Sequence, residues 1–429
     1  MTAIREVPAV DAPSSGHLTV TQGAALTAAA VLGTGVISLP AISAAIAGPS
    51  SVIAWLLLVL LSVPLAATFA ALGTRHPDSG GVSTYVRLAF GRRAATVVGW
   101  CFYFSIPLGC VPAASFAGNY VTDTVGGGHT TQVATLAGLI AVVAVLNAFG
   151  VKVSGRVQLA LSCVLGALLL IATVAAIPSA RWSNATPFAP YGWTAIGPAA
   201  AVLVWGFVGW EAVTSLTGDY RHPRRDLPRA TTLAVIVVGV LYLGIAIMTI
   251  LVLGPAAGSS KAPLSDLLAA GFGEHARAVT TVIAVLLTLG TINAYFAGAA
   301  KLGAALGRDG SLPGWFARGS STGEVPRRSL GVLVALSAVS VTVSAAYRVD
   351  VRASVLLITG SFTLVYVLAT AAAIRLLPRH SWAGAAAAVS LLCSGALLLL
   401  TGVHLLWGVG LAAAALLYDT VRRRRTAPP

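Results

Sequence analysis

Twelve long apolar runs, separated by short polar or basic segments, restrict what this chain can fold into more than any other feature. An apolar run of about 17 to 25 residues crosses a bilayer as an α-helix, and unpaired backbone groups exclude most other spanning structures. Of the 429 residues, 57% are hydrophobic and 9% are charged, whereas soluble domains carry about 25% charged residues. The sequence therefore predicts an all-α polytopic membrane protein with 12 transmembrane helices.

Lys and Arg residues are distributed unequally between the two sides of these predicted spans. The runs cover approximately residues 21–45, 51–72, 94–120, 133–149, 157–177, 195–216, 231–253, 276–302, 330–346, 354–376, 382–402 and 405–418. With the N-terminus on the cytoplasmic side, 22 Lys and Arg residues fall on that side and 5 on the other. Because cytoplasmic segments are enriched in Lys and Arg, we expect a multi-pass protein of the cell (plasma) membrane with both termini in the cytoplasm.

The net charge of +14 follows from this arrangement and does not indicate a nucleic-acid surface. Basic residues lie at the ends of apolar runs, and the arginines at 422–425 suit anionic lipid headgroups. We expect membrane lipid as a partner and no nucleic acid. Residues 1–18 are predicted to form a disordered cytoplasmic tail, and residues 421–429 a basic cytoplasmic tail. The four cysteines lie in apolar runs without disulfide or metal-site spacing.

The first run contains a glycine-rich stretch, Gly33-Thr34-Gly35-Val36-Ile37, near its middle. Glycine weakens a helix by about 1 kcal/mol relative to alanine and lets backbone approach a ligand closely. Non-helical backbone at membrane depth is tolerated where it lines a protein cavity. We interpret the stretch as a break in a transmembrane helix and half of a binding site. The stretch alone also fits a flexible glycine pair packed against a neighbouring helix.

The sixth run contains a similar stretch, Trp205-Gly206-Phe207-Val208-Gly209-Trp210-Glu211. Glu211 is the acidic residue that we place deep in a span, where a charge costs roughly 2.5–3.5 kcal/mol on insertion scales. It fits a structural carboxyl bonded to a neighbour. It also fits a cavity group that contacts substrate, shapes the broken helix or carries a proton.

Breaks in the first and sixth helices would be equivalent if the chain holds two five-helix repeats. Paired interruptions of this kind indicate a transporter site at the membrane midplane. Backbone N–H groups near 36–38 can bind a carboxylate at a helix N-terminus. Carbonyls near 30–32 and 205–207 can accept from an ammonium, so the arrangement suits a zwitterion. Candidate aromatic walls of a side-chain pocket are Trp205, Phe207 and Trp210.

At these residues the chain resembles the amino acid–polyamine–organocation (APC) transporters. The Gly33–Ile37 stretch is similar to the motif in their first helix, and the loop from His76 to Tyr85 is similar to their cytoplasmic P-x-S-G-G-x-x-x-Y segment. The run from Phe207 to Ala230 resembles their sixth helix and the loop after it. The F-V-G-x-E-A form resembles most closely the bacterial exporters of methionine and branched-chain amino acids.

The resemblance implies an inverted 5+5 repeat core with discontinuous helices 1 and 6 and two C-terminal helices. The repeats would cover 19–180 and 190–378, and helices 11 and 12 would cover 380–420. It also implies substrate contacts on the two broken helices. The candidate substrate-binding residues are Gly33, Thr34, Gly35, Val36, Ile37, Trp205, Phe207, Gly209 and Glu211.

One departure from the family bears on ion coupling. Some proton-coupled relatives carry a membrane-embedded lysine in the fifth helix, and the segment from Val157 to Leu165 has none. That coupling device is absent here, and Glu211 is a hypothetical substitute. We expect no cofactor, and proton coupling stays an open hypothesis.

The pattern predicts a secondary active transporter that exports neutral aliphatic amino acids (methionine, leucine, isoleucine, valine) by alternating access. Two alternatives remain: a cationic amino acid or polyamine transporter that uses Glu211 as counter-charge, and an amino acid importer. A membrane enzyme is disfavoured because the seven histidines are scattered and Glu211 has no acidic partner in the sequence. A channel would favour rings of charge or filter carbonyls.

Overall fold

A computed structural model describes residues 18–76, 81–150, 155–220, 222–318 and 325–426. Within these ranges the chain is helical and has no β-strand, which confirms the predicted all-α class. The α-helices are α1 (Val20–Val31), α2 (Leu39–Ala47), α3 (Ser51–Arg75), α4 (Val82–Phe90), α5 (Arg92–Val125), α6 (Gly128–Ala148), α7 (Gly155–Ala175), α8 (Ile196–Leu203), α9 (Pro223–Leu253), α10 (Pro263–Phe272), α11 (His275–Arg308), α12 (Arg327–Tyr347), α13 (Val351–Leu376), α14 (Trp382–Leu400) and α15 (Leu405–Thr426).

Ten helical segments of the described chain are long and apolar enough to cross a membrane. They include all the predicted runs except the first and the sixth. In those two runs the apolar helices are shorter, Val20–Val31 and Trp193–Phe207. The chain is therefore a multi-pass membrane protein.

The first and sixth runs contain short 3₁₀ segments where the glycines lie. A 3₁₀ turn at Thr34–Ile37 separates α1 from α2. After α8 the chain forms 3₁₀ turns at Val204–Phe207 and Trp210–Asp219. Pro40 lies in the first turn of α2, where its fixed φ and missing N–H do not disturb the helix. In both runs, regular α-helix thus gives way to 3₁₀ geometry at the glycines. We call residues 31–38 and 204–211 the interrupted segments.

Other elements differ from the sequence prediction. The connection after the seventh run contains α10, which no sequence pattern indicated. α15 continues to Thr426, so the predicted basic tail at 421–429 begins within a helix. Except for Leu18, the predicted tail over 1–18 lies outside the described residues, as does the 77–80 part of the loop motif.

Contacts at the helix ends define two faces of the bundle, because the end of α11 lies beside the start of α5, and the end of α5 lies beside α10 and the start of α11. We call the face with the start of α1 and the end of α11 the terminal face, and the opposite one the α10 face. In the interior, α9 packs against α1 and α3, while α5 packs against α11 and α13. On the outside of the bundle, α14 packs against α3 and α13, and α15 packs against α5 and α13. The interrupted segments therefore lie between the α9 side and the α5 side of the bundle.

Candidate functional site

A cavity of about 520 Å³ lies where the two interrupted segments meet. Its lining comes mainly from α1 and the residues after it, the middle of α5, the start of α7, the 205–211 segment, α11 and α13. The lining residues on α11 extend from the middle of that helix toward its end. Those on α1 begin at Leu26 and end just after it, at Gly35. The cavity thus extends from the middle of the bundle toward the terminal face.

Gly209 lets the two interrupted segments approach each other. Its φ is +129°, in the region that favours glycine. A Cβ at this position would lie 2.5 Å from the carbonyl oxygen of Ala30 on α1. Another residue at 209 would therefore be strained and would push α1 away.

Gly35 provides a second close approach, against the indole of Trp205. A Cβ at Gly35 would lie 2.6 Å from Trp205 Cδ1. The other side of this indole faces Phe116 on α5, with ring centroids 6.2 Å apart in an edge arrangement. Trp205 is thus held between the first interrupted segment and α5.

Tyr242 on α9 connects the two segments directly. Its hydroxyl lies 3.0 Å from the carbonyl oxygen of Val31 and 2.9 Å from that of Gly206, and it donates toward both. Tyr242 is fully buried. One hydroxyl is therefore shared between carbonyls at both interruptions, and the Val31 carbonyl also accepts from the Gly33 N–H at 2.7 Å. Such bonds make non-helical backbone tolerable at membrane depth.

Glu211 lines the cavity and is held by two donors. Its Oε2 atom accepts from the Gly209 N–H at 3.0 Å and from the Tyr366 hydroxyl at 2.5 Å. The same Gly209 N–H lies 3.2 Å from the Tyr366 hydroxyl oxygen. The carboxyl thus fixes the backbone at the positive-φ glycine and connects it to α13.

Six of the nine predicted site residues line the cavity: Gly33, Thr34, Gly35, Trp205, Gly209 and Glu211. The remaining three, Val36, Ile37 and Phe207, are buried and are not among its lining residues. The Ile37 carbonyl accepts from Tyr120, and Phe207 packs against Trp55 and Tyr242. Trp210 is also buried away from the lining.

Sequence reasoning missed several polar residues at the cavity. Tyr242 and Tyr366 each lie in the middle of an apolar run, and a polar hydroxyl at that position is the sequence signal that could have identified them. These two tyrosines bond to the interrupted segments but are not among the lining residues, whereas Ser105, Gln158 and Thr291 are. One buried side-chain atom of each of these three has no hydrogen-bond partner among the described residues. Such an atom costs about 1–3 kcal/mol when unpaired. These atoms indicate a cavity suited to a ligand with polar groups.

The α10 face is closed above the cavity by two sets of contacts. Tyr120 on α5 donates to the Ile37 carbonyl at 2.6 Å and accepts from the Leu264 N–H of α10 at 3.2 Å. Arg277 at the start of α11 pairs with three carboxylates: Asp266 on α10 at 2.6 Å, Asp123 on α5 at 2.9 Å and Glu274 at 2.6 Å. Polar contacts therefore join α5, α10 and α11 on this face.

No group of three or more His, Cys, Asp or Glu side chains that could hold a metal ion occurs within the described ranges.

Comparisons with known proteins agree with this architecture. A family model for amino acid permeases matches residues 18–416. The chain is 30% identical over 398 residues to the uncharacterized amino acid permease YecA of Bacillus subtilis, covering 92% of this chain and 94% of that protein. It is also 30% identical over 374 residues to the L-methionine/branched-chain amino acid exporter YjeH of Escherichia coli, covering 84% of this chain and 86% of that protein.

A third relative is the branched-chain amino acid permease BcaP of Bacillus subtilis, 26% identical over 307 residues, with 66% of this chain and 65% of that protein covered. These relatives are named as permeases and an exporter, so the chain is a transport protein and not an enzyme. The resemblance predicted from the three motifs is confirmed. The chain belongs to the amino acid permease (APC) family.

Proposed function

We propose that this permease is a secondary active transporter that exports neutral aliphatic amino acids by alternating access. The observation that carries the proposal is the cavity at the meeting point of the two interrupted segments. Its volume of about 520 Å³ lies in the range of small-molecule sites, roughly 300–1,000 Å³. Most of its lining is apolar, with a few polar groups that could orient a ligand. The name of YjeH as a methionine and branched-chain amino acid exporter supports this substrate class.

The proposed architecture has twelve spans. Ten are the long segments, and the other two are interrupted: α1 with α2 as the first, and α8 with the 3₁₀ segment to Asp219 as the sixth. We assign spans one to five and six to ten to inverted repeats over 19–180 and 190–378. The joint hydrogen bonding of both interruptions by Tyr242 supports their common role.

A zwitterion fits the backbone groups around the cavity. The start of the Thr34–Ile37 turn presents N–H groups for a carboxylate, at the positive end of a short helix. The Val31 carbonyl accepts from Tyr242 and from the Gly33 N–H, whereas the Gly206 carbonyl accepts from Tyr242. Because a carbonyl oxygen has two lone pairs, the Gly206 carbonyl can also accept from an ammonium.

We assign the terminal face to the cytoplasm, on the distribution of Lys and Arg in the sequence. The cavity extends toward this face, while polar contacts close the α10 face. This conformation therefore corresponds to an inward-facing state, and both termini lie in the cytoplasm of a cell whose plasma membrane holds the protein.

A cationic amino acid or polyamine is the second candidate substrate, and Glu211 at the cavity favours it. One oxygen of this carboxyl already binds the Gly209 N–H and the Tyr366 hydroxyl. That engagement supports a role in holding the sixth segment, so the neutral substrate is preferred.

Counterflow in proteoliposomes tests the substrate class. Vesicles loaded with unlabelled leucine or methionine should accumulate the same labelled amino acid, whereas labelled arginine and putrescine should not enter by exchange. Exchange of the cations alone would overturn the proposal and make Glu211 the counter-charge of the substrate.

Direction and coupling need separate measurements. Cells that express the protein should release preloaded labelled leucine faster than cells without it; faster uptake only would indicate an importer. If protons are coupled through Glu211, Glu211→Gln should remove the pH dependence of transport. A variant that transports with the pH profile of the wild type would exclude this role.

A further inference from the structure

Ser105 differs from the threonines on α5. The hydroxyls of Thr96, Thr122 and Thr124 each bond the carbonyl four residues earlier, at 2.8–3.1 Å. Ser105 Oγ makes no such bond and has no partner among the described residues, although the residue is fully buried. Because Ser105 lines the cavity, its hydroxyl is available to a ligand there.

The wall around Ser105 is apolar. Phe102 and Ile106 lie beside it on α5, and Ile358 and Phe362 line the cavity from α13. The rings of Phe102 and Phe362 are in edge contact, with centroids 5.3 Å apart. A ligand atom at Ser105 is thus surrounded by hydrocarbon, where a hydrogen bond is stronger than in water.

The other two unpaired atoms belong to a different wall. Gln158 is on α7 and Thr291 is on α11, and the Gln158 amide oxygen lies 3.2 Å from the position of a Cβ at Gly290. Ser105 is therefore the polar group of the α5 and α13 wall. A substrate whose α-carboxylate and ammonium bind the interrupted segments would direct its side chain toward such an apolar wall.

We propose that Ser105 is a specificity-determining residue that hydrogen-bonds a hydroxyl on the substrate side chain. The permease then accepts small hydroxyl amino acids, threonine and serine, besides the aliphatic ones. This inference rests on the proposed function, since it takes the cavity as the site of an amino acid. Threonine and valine have nearly the same shape and differ in a hydroxyl against a methyl group, so comparing them isolates this hydrogen bond.

Counterflow with labelled threonine and labelled valine tests the inference in wild type and in Ser105→Ala. The matched control is Ser361→Ala, because Ser361 is also buried and unpaired among the described residues but is not part of the cavity lining. It packs beside Gly408 of α15. We expect Ser105→Ala to lower the threonine-to-valine rate ratio about fivefold, which is the effect of losing one net hydrogen bond of about 1 kcal/mol. Valine exchange should persist and Ser361→Ala should keep the wild-type ratio.

The inference is overturned if wild type exchanges valine but not threonine, or if Ser105→Ala leaves the ratio unchanged. An equal drop in Ser361→Ala would also overturn it, since the effect would then not be local to the cavity. These failures leave valine exchange intact. If neither valine, leucine nor methionine exchanges in wild type, the proposed function itself fails.

Discussion

The two faces of the bundle are held together differently. On the α10 face, Tyr120 and the three carboxylates around Arg277 join α5, α10 and α11 beside the cavity. On the terminal face, the Arg87–Asp309 ion pair is exposed and contributes little. Other contacts there hold α5 to its neighbours: Arg92 donates to the Asp309 carbonyl at 2.8 Å, and Arg93 and Arg423 pair with the buried Asp419 of α15. The cavity extends toward this second face. Opening the α10 face therefore requires contacts beside the first interrupted segment to break, whereas the contacts named for the terminal face join α4 and α5 to the end of α11 and α5 to α15, and do not involve α1.

The largest effect is expected at Gly209, where the two interrupted segments meet. A Cβ there would lie 2.5 Å from the Ala30 carbonyl at a φ of +129°. Strained backbone costs on the order of 1–3 kcal/mol, so Gly209→Ala should lower the free energy of unfolding by about 3 kcal/mol and abolish counterflow. Denaturation in detergent and counterflow measure both effects.

Gly138→Ala is the control for that substitution, because open space surrounds Gly138 on α6. It should leave stability and transport unchanged. Normal transport by Gly209→Ala would mean that the close approach of the two segments is not required.

The next largest effect is expected at Tyr366, which contacts Gly209 and Glu211. Its hydroxyl donates to Glu211 at 2.5 Å, and a hydrogen bond to a charged group contributes about 1.5–3 kcal/mol. Tyr366→Phe should therefore destabilise the protein by about 2 kcal/mol, whereas Tyr347→Phe, at a residue that is 80% exposed, should not. In a double-mutant cycle with Glu211→Gln, additive losses would contradict a direct interaction.

A smaller effect is expected on the α10 face at Arg277, where Arg277→Gln removes three ion pairs. We expect the fraction of molecules whose cavity is open to the α10 face to rise about fivefold, because partly exposed ion pairs contribute only about 1 kcal/mol. Cys110 lines the cavity, so its labelling by an impermeant thiol reagent from the α10 side, with the other three cysteines replaced by serine, measures this change. Arg348→Gln is the control, on an exposed residue of the same face. Unchanged labelling would show that the ion pairs do not hold this face closed.

The smallest effect is expected for Tyr120→Phe. It removes one hydroxyl between the Ile37 carbonyl and the Leu264 N–H, and a net hydrogen bond contributes about 0.5–1.5 kcal/mol. Labelling of Cys110 from the α10 side should rise about twofold, less than for Arg277→Gln. A larger rise than for Arg277→Gln would identify Tyr120 as the main closing contact.

Much of the fold was predictable because spanning helices are encoded in local composition. The length and apolar content of each run predicted the all-α membrane class, and the glycines at 33, 35, 206 and 209 predicted where two runs would deviate. The motifs predicted the family. α10 was missed because a ten-residue helix between spans has no composition that separates it from a loop.

The site was harder to predict because side-chain direction depends on local register. Trp205 and Phe207 are two residues apart in a four-residue 3₁₀ segment, which has three residues per turn. They therefore point in different directions, and Trp205 lines the cavity while Phe207 does not. The partners of the interrupted segments, Tyr242 and Tyr366, are distant in sequence. Their contacts are set by tertiary packing, which no local pattern contains.

Tyr242 has a consequence for motion. Its single hydroxyl is shared between the carbonyls of Val31 and Gly206, so separating the two segments would break one of these two contacts. We therefore expect the two segments and α9 to move as one rigid body and to keep their arrangement around the amino acid. On the opposite side, sliding past α5 and α13 requires the hydrogen bonds of Tyr120 to Ile37 and of Tyr366 to Glu211 to break, whereas the contact of Trp205 with Phe116 has no hydrogen bond to lose.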